Sequence, residues 1–145
     1  SMTLTVTDSV VPISETIVDN RDTGFSRTGS WSESGAPDEY AASSLYSATV
    51  GSTATWTPAL STAGTYEVFV WYTGSAQYDR DTDADYTINY ADGTTAVSID
   101  QNQGSGAWVS LGVYTFQAGN SSSVTLLRDA NAVGTTSADA MKFVL

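Results

Sequence analysis

From residue 15 onward, β-branched and aromatic side chains alternate with polar ones in short runs, and clusters of Gly, Asn, Asp and Ser interrupt them. No apolar stripe of helical period reaches useful length; period-two alternation belongs to strands with one face buried. The runs predict strands near 3–7, 15–19, 44–49, 52–58, 65–73, 84–91, 94–101, 107–116, 122–128 and 138–145. Strands recurring about every ten residues with turn signals between them describe an all-β domain, a single β-sandwich, jelly-roll-like, of antiparallel strands. Ala91-Asp92-Gly93 joins two runs, and Asp-Gly supplies the positive φ of a tight hairpin. Ala63-Gly64 and Ala118-Gly119-Asn120 punctuate the chain in the same way. Residues 1–12, ending at Pro12, read as a linker or an edge strand, and 13–145 as the sandwich. Residues 20–43 are rich in Gly, Ser and charge and show no clear strand, and long loops in compact domains are commonly functional.

The run 65–73 has two distinct faces. Tyr66, Val68, Val70 and Tyr72 fall on one and Glu67, Phe69, Trp71 and Thr73 on the other. The first is the better core face. The second sets two aromatic rings beside a carboxylate, which suits a sugar: pyranose C–H groups pack on indole and phenyl faces while carboxylates and amides take the hydroxyls. Loops covering that face are the other reading. Tyr78, close after the strand and next to Asp79 and Arg80, would extend a Phe69–Trp71 platform, with Glu67 and Arg80 meeting hydroxyl or carboxylate groups. Trp56 alternates with Ala54 against Thr53, Thr55 and Thr57 and reads as core, where such a ring removes roughly 150–250 Å2 from water. Tyr40 and Tyr46 lie near loops among polar neighbours and read as packed anchors.

Composition narrows the chemistry. The 145 residues carry 16 acidic and 5 basic side chains, a net charge of −11, with no His and no Cys. One domain of this length buries enough surface to need neither disulfide nor metal. The absences remove thiol nucleophiles, thiolate and imidazole metal sites and Ser-His-Asp catalysis. Lys142 is the one lysine. The negative charge disfavours nucleic acid and anionic membrane surfaces as partners, and no apolar run approaches the ~20 residues of a membrane helix. No leader is visible at Ser1-Met2. Carboxylate pairs are the remaining acid–base equipment, and without a geometry they carry no argument for an enzyme.

The acids are unevenly spread. Asp79, Asp81, Asp83 and Asp85 occupy alternate positions. Such loops supply the oxygens that a hard cation like Ca2+ requires, although Ala84 and Tyr90 stand where an EF-hand needs Gly and Glu. The run is therefore either a solvated acidic loop, partly neutralised by Arg80, or a calcium site. Asp19, Asp22, Asp38 and Glu39, near Arg21 and Arg27, read mainly as turn chemistry. Asn120-Ser121-Ser122 matches a glycosylation sequon in a turn.

The segment from Ile17-Val18-Asp19-Asn20 to Gly29-Ser30-Trp31 resembles the golvesin C-terminal domain, also described as the xanthan-lyase carbohydrate-binding-like domain. The resemblance resumes at Ala54-Thr55-Trp56, Ala63-Gly64-Thr65-Tyr66-Glu67-Val68 and Asp85-Tyr86-Thr87-Ile88. It continues through Ser98 to Gln103 and Trp108 to Phe116, and closes at Ala138-Asp139-Ala140-Met141-Lys142-Phe143-Val144. It implies a β-sandwich appended to secreted bacterial enzymes, often polysaccharide-active, with a binding role and no catalytic residues; it also gives Trp31, Trp56 and Trp108 structural positions. Where the family has an Arg-Trp pair, Trp71-Tyr72 stands here, placing Trp71 at an often polar position and favouring a surface contact. The expectation is a non-catalytic carbohydrate-binding module that tethers a secreted polysaccharide-degrading enzyme to its glycan. Its partners would be polysaccharide and the catalytic domain of the parent chain, and the net charge favours neutral glycans unless calcium bridges to an acidic one. The alternatives are a calcium-stabilised structural or adhesive spacer and a protein-docking module.

Overall fold

The computed structural model describes residues 14–74 and 79–145. The strand expected at 3–7, the linker-or-edge reading of 1–12 and the side chain of Tyr78 lie outside the described residues. Among the described residues there are strands and no helix. In chain order the strands are β1 Glu15–Asp19, β2 Phe25–Thr28, β3 Ser32–Glu33, β4 Leu45–Ser47, β5 Thr53–Trp56 and β6 Gly64–Trp71. They continue with β7 Ala84–Tyr90, β8 Gly93–Ile99, β9 Val109–Phe116, β10 Ser123–Leu127, β11 Thr136–Ala138 and β12 Ala140–Val144.

A four-stranded sheet runs β1-β12-β6-β9, a five-stranded sheet β2-β5-β10-β7-β8, and a small three-stranded sheet β11-β4-β3. All the ladders are antiparallel. The two larger sheets share one apolar core, which makes the domain a β-sandwich. Val68 and Val70 of β6 and Met141 and Phe143 of β12 meet Trp56 of β5, Ile88 of β7 and Leu126 of β10. Trp56 is fully buried, as its alternation predicts, and its indole donates to the Asp139 backbone oxygen at 3.2 Å. The β7–β8 hairpin turns at Asp92-Gly93, where Gly93 has φ 140°.

The stretch 20–43 departs from the sequence reading, because it holds β2 and β3. Strand β2 is an edge with one neighbour, β5, so its sequence Phe-Ser-Arg-Thr lacks the alternation that a strand buried on one face displays. The predicted strand 138–145 divides at Asp139, a fully buried corner where the chain leaves the small sheet for the four-stranded one. Tyr66, Val68, Val70 and Tyr72 are buried as expected. Thr73 is buried too, against the facewise reading: β6 ends at Trp71, and the Thr73 hydroxyl joins those of Ser44 and Ser137.

Candidate functional site

Strand β6 lies between β12 and β9, which sets what surrounds its outward face. On the β12 side Phe69 is opposite Lys142 and Trp71 opposite Ala140. On the β9 side the register shifts between Val68 and Phe69, so that Val68 faces Gly112 while Phe69 faces Ser110. That bulge re-aims the end of β9. It also brings Trp108, just before β9, against Trp71, with ring centroids 5.3 Å apart at 75°. Tyr40 completes the group, 5.7 Å from Trp71 and 5.2 Å from Trp108. Edge-to-face and tilted pairs at these separations add about 0.5–1.5 kcal/mol each beyond the area they bury. The ammonium of Lys142 lies 4.7 Å from the Trp108 ring and 4.9 Å from Phe69, within cation–π range of both. All five side chains are half-buried.

The loop before β4 holds Tyr40 in place. Asp38 and Ala41 have φ 67° and 54°, in the left-handed region that costs a non-glycine residue energy. Three contacts hold this strained loop: Trp71 Nε1 donates to Asp38 O at 2.8 Å, the Tyr40 amide donates to Asp139 Oδ2 at 2.7 Å, and Gly106 lies against Asp38. A Cβ on Gly106 would come within 2.8 Å of the Asp38 Cβ, and its own φ is 73°, so this close approach needs glycine.

Asp139 in turn meets Asp19. Burial, aided by its hydrogen bond to Asp19 and the charges of Asp19 and Glu39, pushes the Asp139 carboxyl up to about 9. Burial raises Asp19 as well. Two carboxyls in contact cannot both ionise cheaply, so they share a proton. The Asn20 amide braces the pair: with its nitrogen turned toward Ser43 O at 2.8 Å, it reaches Asp19 Oδ1 and Asp139 Oδ1 at 3.2 and 3.3 Å. The turn chemistry expected of Asp19 and Asp22 is present, with Asp19 N donating to Asp22 Oδ2 at 2.8 Å.

The sequence-predicted residues separate into groups. Glu67, Phe69 and Trp71 share the outer face, where Glu67 accepts from Ser110 Oγ at 2.8 Å. Arg80 is elsewhere. It is 2% exposed, pairs with Thr135 in an isolated bridge, and donates to Thr73 O at 2.9 Å, Thr135 Oγ1 at 2.7 Å and Ser34 Oγ at 3.2 Å. Beside it is a hollow of about 560 Å3 that Tyr46 and Asp79 also line.

The acidic run disperses as well. Asp79 and Asp83 are exposed, whereas Asp81 is buried and accepts from Thr136 Oγ1 at 3.1 Å and the Asp83 amide at 3.0 Å. Asp85 belongs to β7, where burial and the charges of Asp129, Asp83 and Asp81 raise its carboxyl. Among the described residues no three acids are gathered as a metal ion requires.

Sequence reasoning missed Trp108, Tyr40 and Lys142 on the outer face. Of the tryptophans to which the resemblance gives structural positions, Trp31 is half-buried and packed against the core, whereas Trp108 is half-buried against Trp71. The alternation of Trp108 and Ser110 against Val109 and Leu111 carried the signal, as did Lys142 between Met141 and Phe143. Tyr40 gave none, because its placement depends on a loop contact.

Comparison with known proteins agrees with this architecture. The profile of the golvesin C-terminal domain matches residues 16–145. A xanthan lyase of Bacillus sp. (strain GL1) is 40% identical over 135 residues, which cover 88% of this chain and 14% of that protein. The structure of a Paenibacillus xanthan lyase superposes with a TM-score of 0.84 at 29% identity, over 90% of this chain and 13% of that one. A family 35 carbohydrate-binding module from Clostridium thermocellum superposes with a TM-score of 0.64 at 16% identity, covering 90% of this chain and 97% of its own. That last likeness is one of fold.

Proposed function

The chain belongs to the golvesin C-terminal domain family, and from that premise we propose that it is a non-catalytic carbohydrate-binding module. In this reading it tethers a secreted polysaccharide-degrading enzyme to its glycan. The observation that carries the reading is the aromatic group on the outer face of the four-stranded sheet, where Trp71, Trp108 and Tyr40 meet in edge-to-face and tilted contacts beside Phe69. Half-buried rings held by their neighbours offer flat apolar surface to a pyranose at little cost in side-chain entropy. Glu67 and Ser110 beside them supply polar partners for hydroxyls. The xanthan lyase of which this chain matches 14% has the proportions expected of an enzyme carrying an appended module. The gain to that enzyme would be proximity, since a bound module turns encounter with the polymer into an intramolecular event.

Affinity electrophoresis through a panel of neutral and acidic polysaccharides tests this, using wild type and Trp71→Ala, each with calcium and with chelator. Retardation by at least one glycan is expected, weakened about tenfold or more in Trp71→Ala. Calorimetry of the same samples checks that the variant stays folded. Mobility unaffected by every glycan would overturn the module reading and leave a spacer or docking domain. Calcium at Asp79, Asp81, Asp83 and Asp85 enters as a separate arm: a melting temperature unmoved by chelator removes it.

A further inference from the structure

The five cations are unequally available. Arg80 and Arg128 are 2% and 7% exposed, and the Lys142 side chain is 17% exposed, covering Phe69 and Trp108. The positive charge facing solvent therefore rests with Arg21 and Arg27, which stand just before β2 and within it. Both border a hollow of about 380 Å3 that is also walled by Phe25 and Trp31. Across Arg21, Phe25 and Ser26 it adjoins a larger hollow, of about 710 Å3, beside β1. Together they form a groove along the side of the sandwich where the edge strands β1 and β2 meet.

The two guanidinium groups are not equivalent. Arg21 donates from Nε to Ser43 Oγ at 2.9 Å, and its Nη2 stands 3.6 Å from Glu33, the acid at that hollow. Asp22, in the larger hollow, accepts from the Asp19 amide. The Arg27 guanidinium has no hydrogen-bond or ion-pair partner among the described residues, its backbone pairing with Ala54 of β5. Five donors in a rigid fork are therefore open at the rim, and that geometry matches a carboxylate through two parallel hydrogen bonds. Next to it, Trp31 is fixed, its Nε1 donating to both Thr28 O and Thr53 O at 3.0 Å. Its polar edge is satisfied, so what it offers the hollow is ring surface. An immobile indole beside an unpaired guanidinium is a recognition pair for a ring that carries a carboxyl group. On a chain of net charge −11 it is also the place where an anion meets attraction.

We propose that this groove binds an acidic sugar unit, with Arg27 taking the carboxylate and Trp31 packing on the pyranose ring. The inference rests on the glycan-binding reading and adds a second, anion-selective site to it, on different residues from the Trp71 platform. It also revises the expectation, drawn from net charge, that neutral glycans are preferred, because the smaller hollow sets two arginines against one acid on a chain that is otherwise strongly negative.

The test is a pair of NMR titrations on the 15N-labelled domain, with an oligogalacturonate and with a cello-oligosaccharide of equal length. The uronate is expected to shift amides in residues 20–33, with affinity falling about tenfold or more in Arg27→Ala and falling as salt is raised. Trp71→Ala should leave that binding unchanged. The Arg27 side chain is exposed and makes no hydrogen bond or ion pair among the described residues, so its variant is expected to melt with wild type. Uronate binding that ignores Arg27→Ala, or that shifts only amides around Trp71 and Trp108, overturns the second site and leaves the platform standing. A neutral sugar that binds at the platform while the uronate does nothing has the same meaning. No shift with either sugar removes both readings.

Discussion

At the scale of single residues, Asp139 does the most with the least exposure. Its backbone oxygen takes the Trp56 indole, its carboxyl takes the Tyr40 amide, and its side chain shares a proton with Asp19. Because the folded carboxyl titrates near 9 instead of near 3.8, the folded state holds a proton that the unfolded chain has released across that interval. Its contribution is fully present below about pH 4 and is lost as pH rises through about 9. Asp139→Asn keeps the shape and removes the titration. The expected outcome is a shallower fall of melting temperature between pH 5 and 9 than in wild type, read by calorimetry across that range. An unchanged slope would show that the pair does not share a proton. None of this was legible from Ala138-Asp139-Ala140, where a lone acid amid small residues looks like any turn. Its burial depends on Asp19, which arrives from the other end of the domain.

Among the elements, β6 shows how far pattern reading reaches. Alternation gave its inward face, because burial on one side of a sheet is periodic. It also set Phe69 and Trp71 on the outward face. It gave neither Trp108 nor Tyr40 as their neighbours: alternation sets Trp108 on the face of Ser110 but not beside Trp71, which depends on the bulge in β9, and Tyr40 depends on a strained loop, which has no period. Strand β2 escaped for the related reason that an edge with a single half-buried aromatic, Phe25, has no period to find. Arg80 illustrates the opposite error: among alternating aspartates it resembles a surface cation, yet it joins Thr73, Thr135 and Ser34 in the interior. Lysine cannot reproduce a planar fork that serves three acceptors. Arg80→Lys is therefore expected to destabilise the domain by about 2–4 kcal/mol, since breaking a buried network leaves its partners unsatisfied. Denaturant unfolding measures this, and a loss below about 0.5 kcal/mol, the size of an ordinary surface substitution, would contradict the structural role given to Arg80.

For the whole molecule the governing quantity is charge. With 16 acids against 5 bases, and two of those bases buried, the surface repels itself. Added sodium chloride should raise the melting temperature, while the same salt weakens uronate binding at Arg27; the two opposite trends can be followed in one sample series. A melting temperature flat in salt would mean that local pairs outweigh net charge. Connectivity has a consequence of another kind. The last strand, β12, lies between β1 and β6, so the four-stranded sheet joins the first strand of the described domain to the rest only through the last. No stretch of chain short of the whole can assemble that sheet, and loop-closure entropy must be met before its contacts are gained. During synthesis β1 must wait for β12 to leave the ribosome. The domain is thus expected to fold late and in one step, on the slow millisecond-to-second scale of sandwiches, once its own C-terminal strand is free.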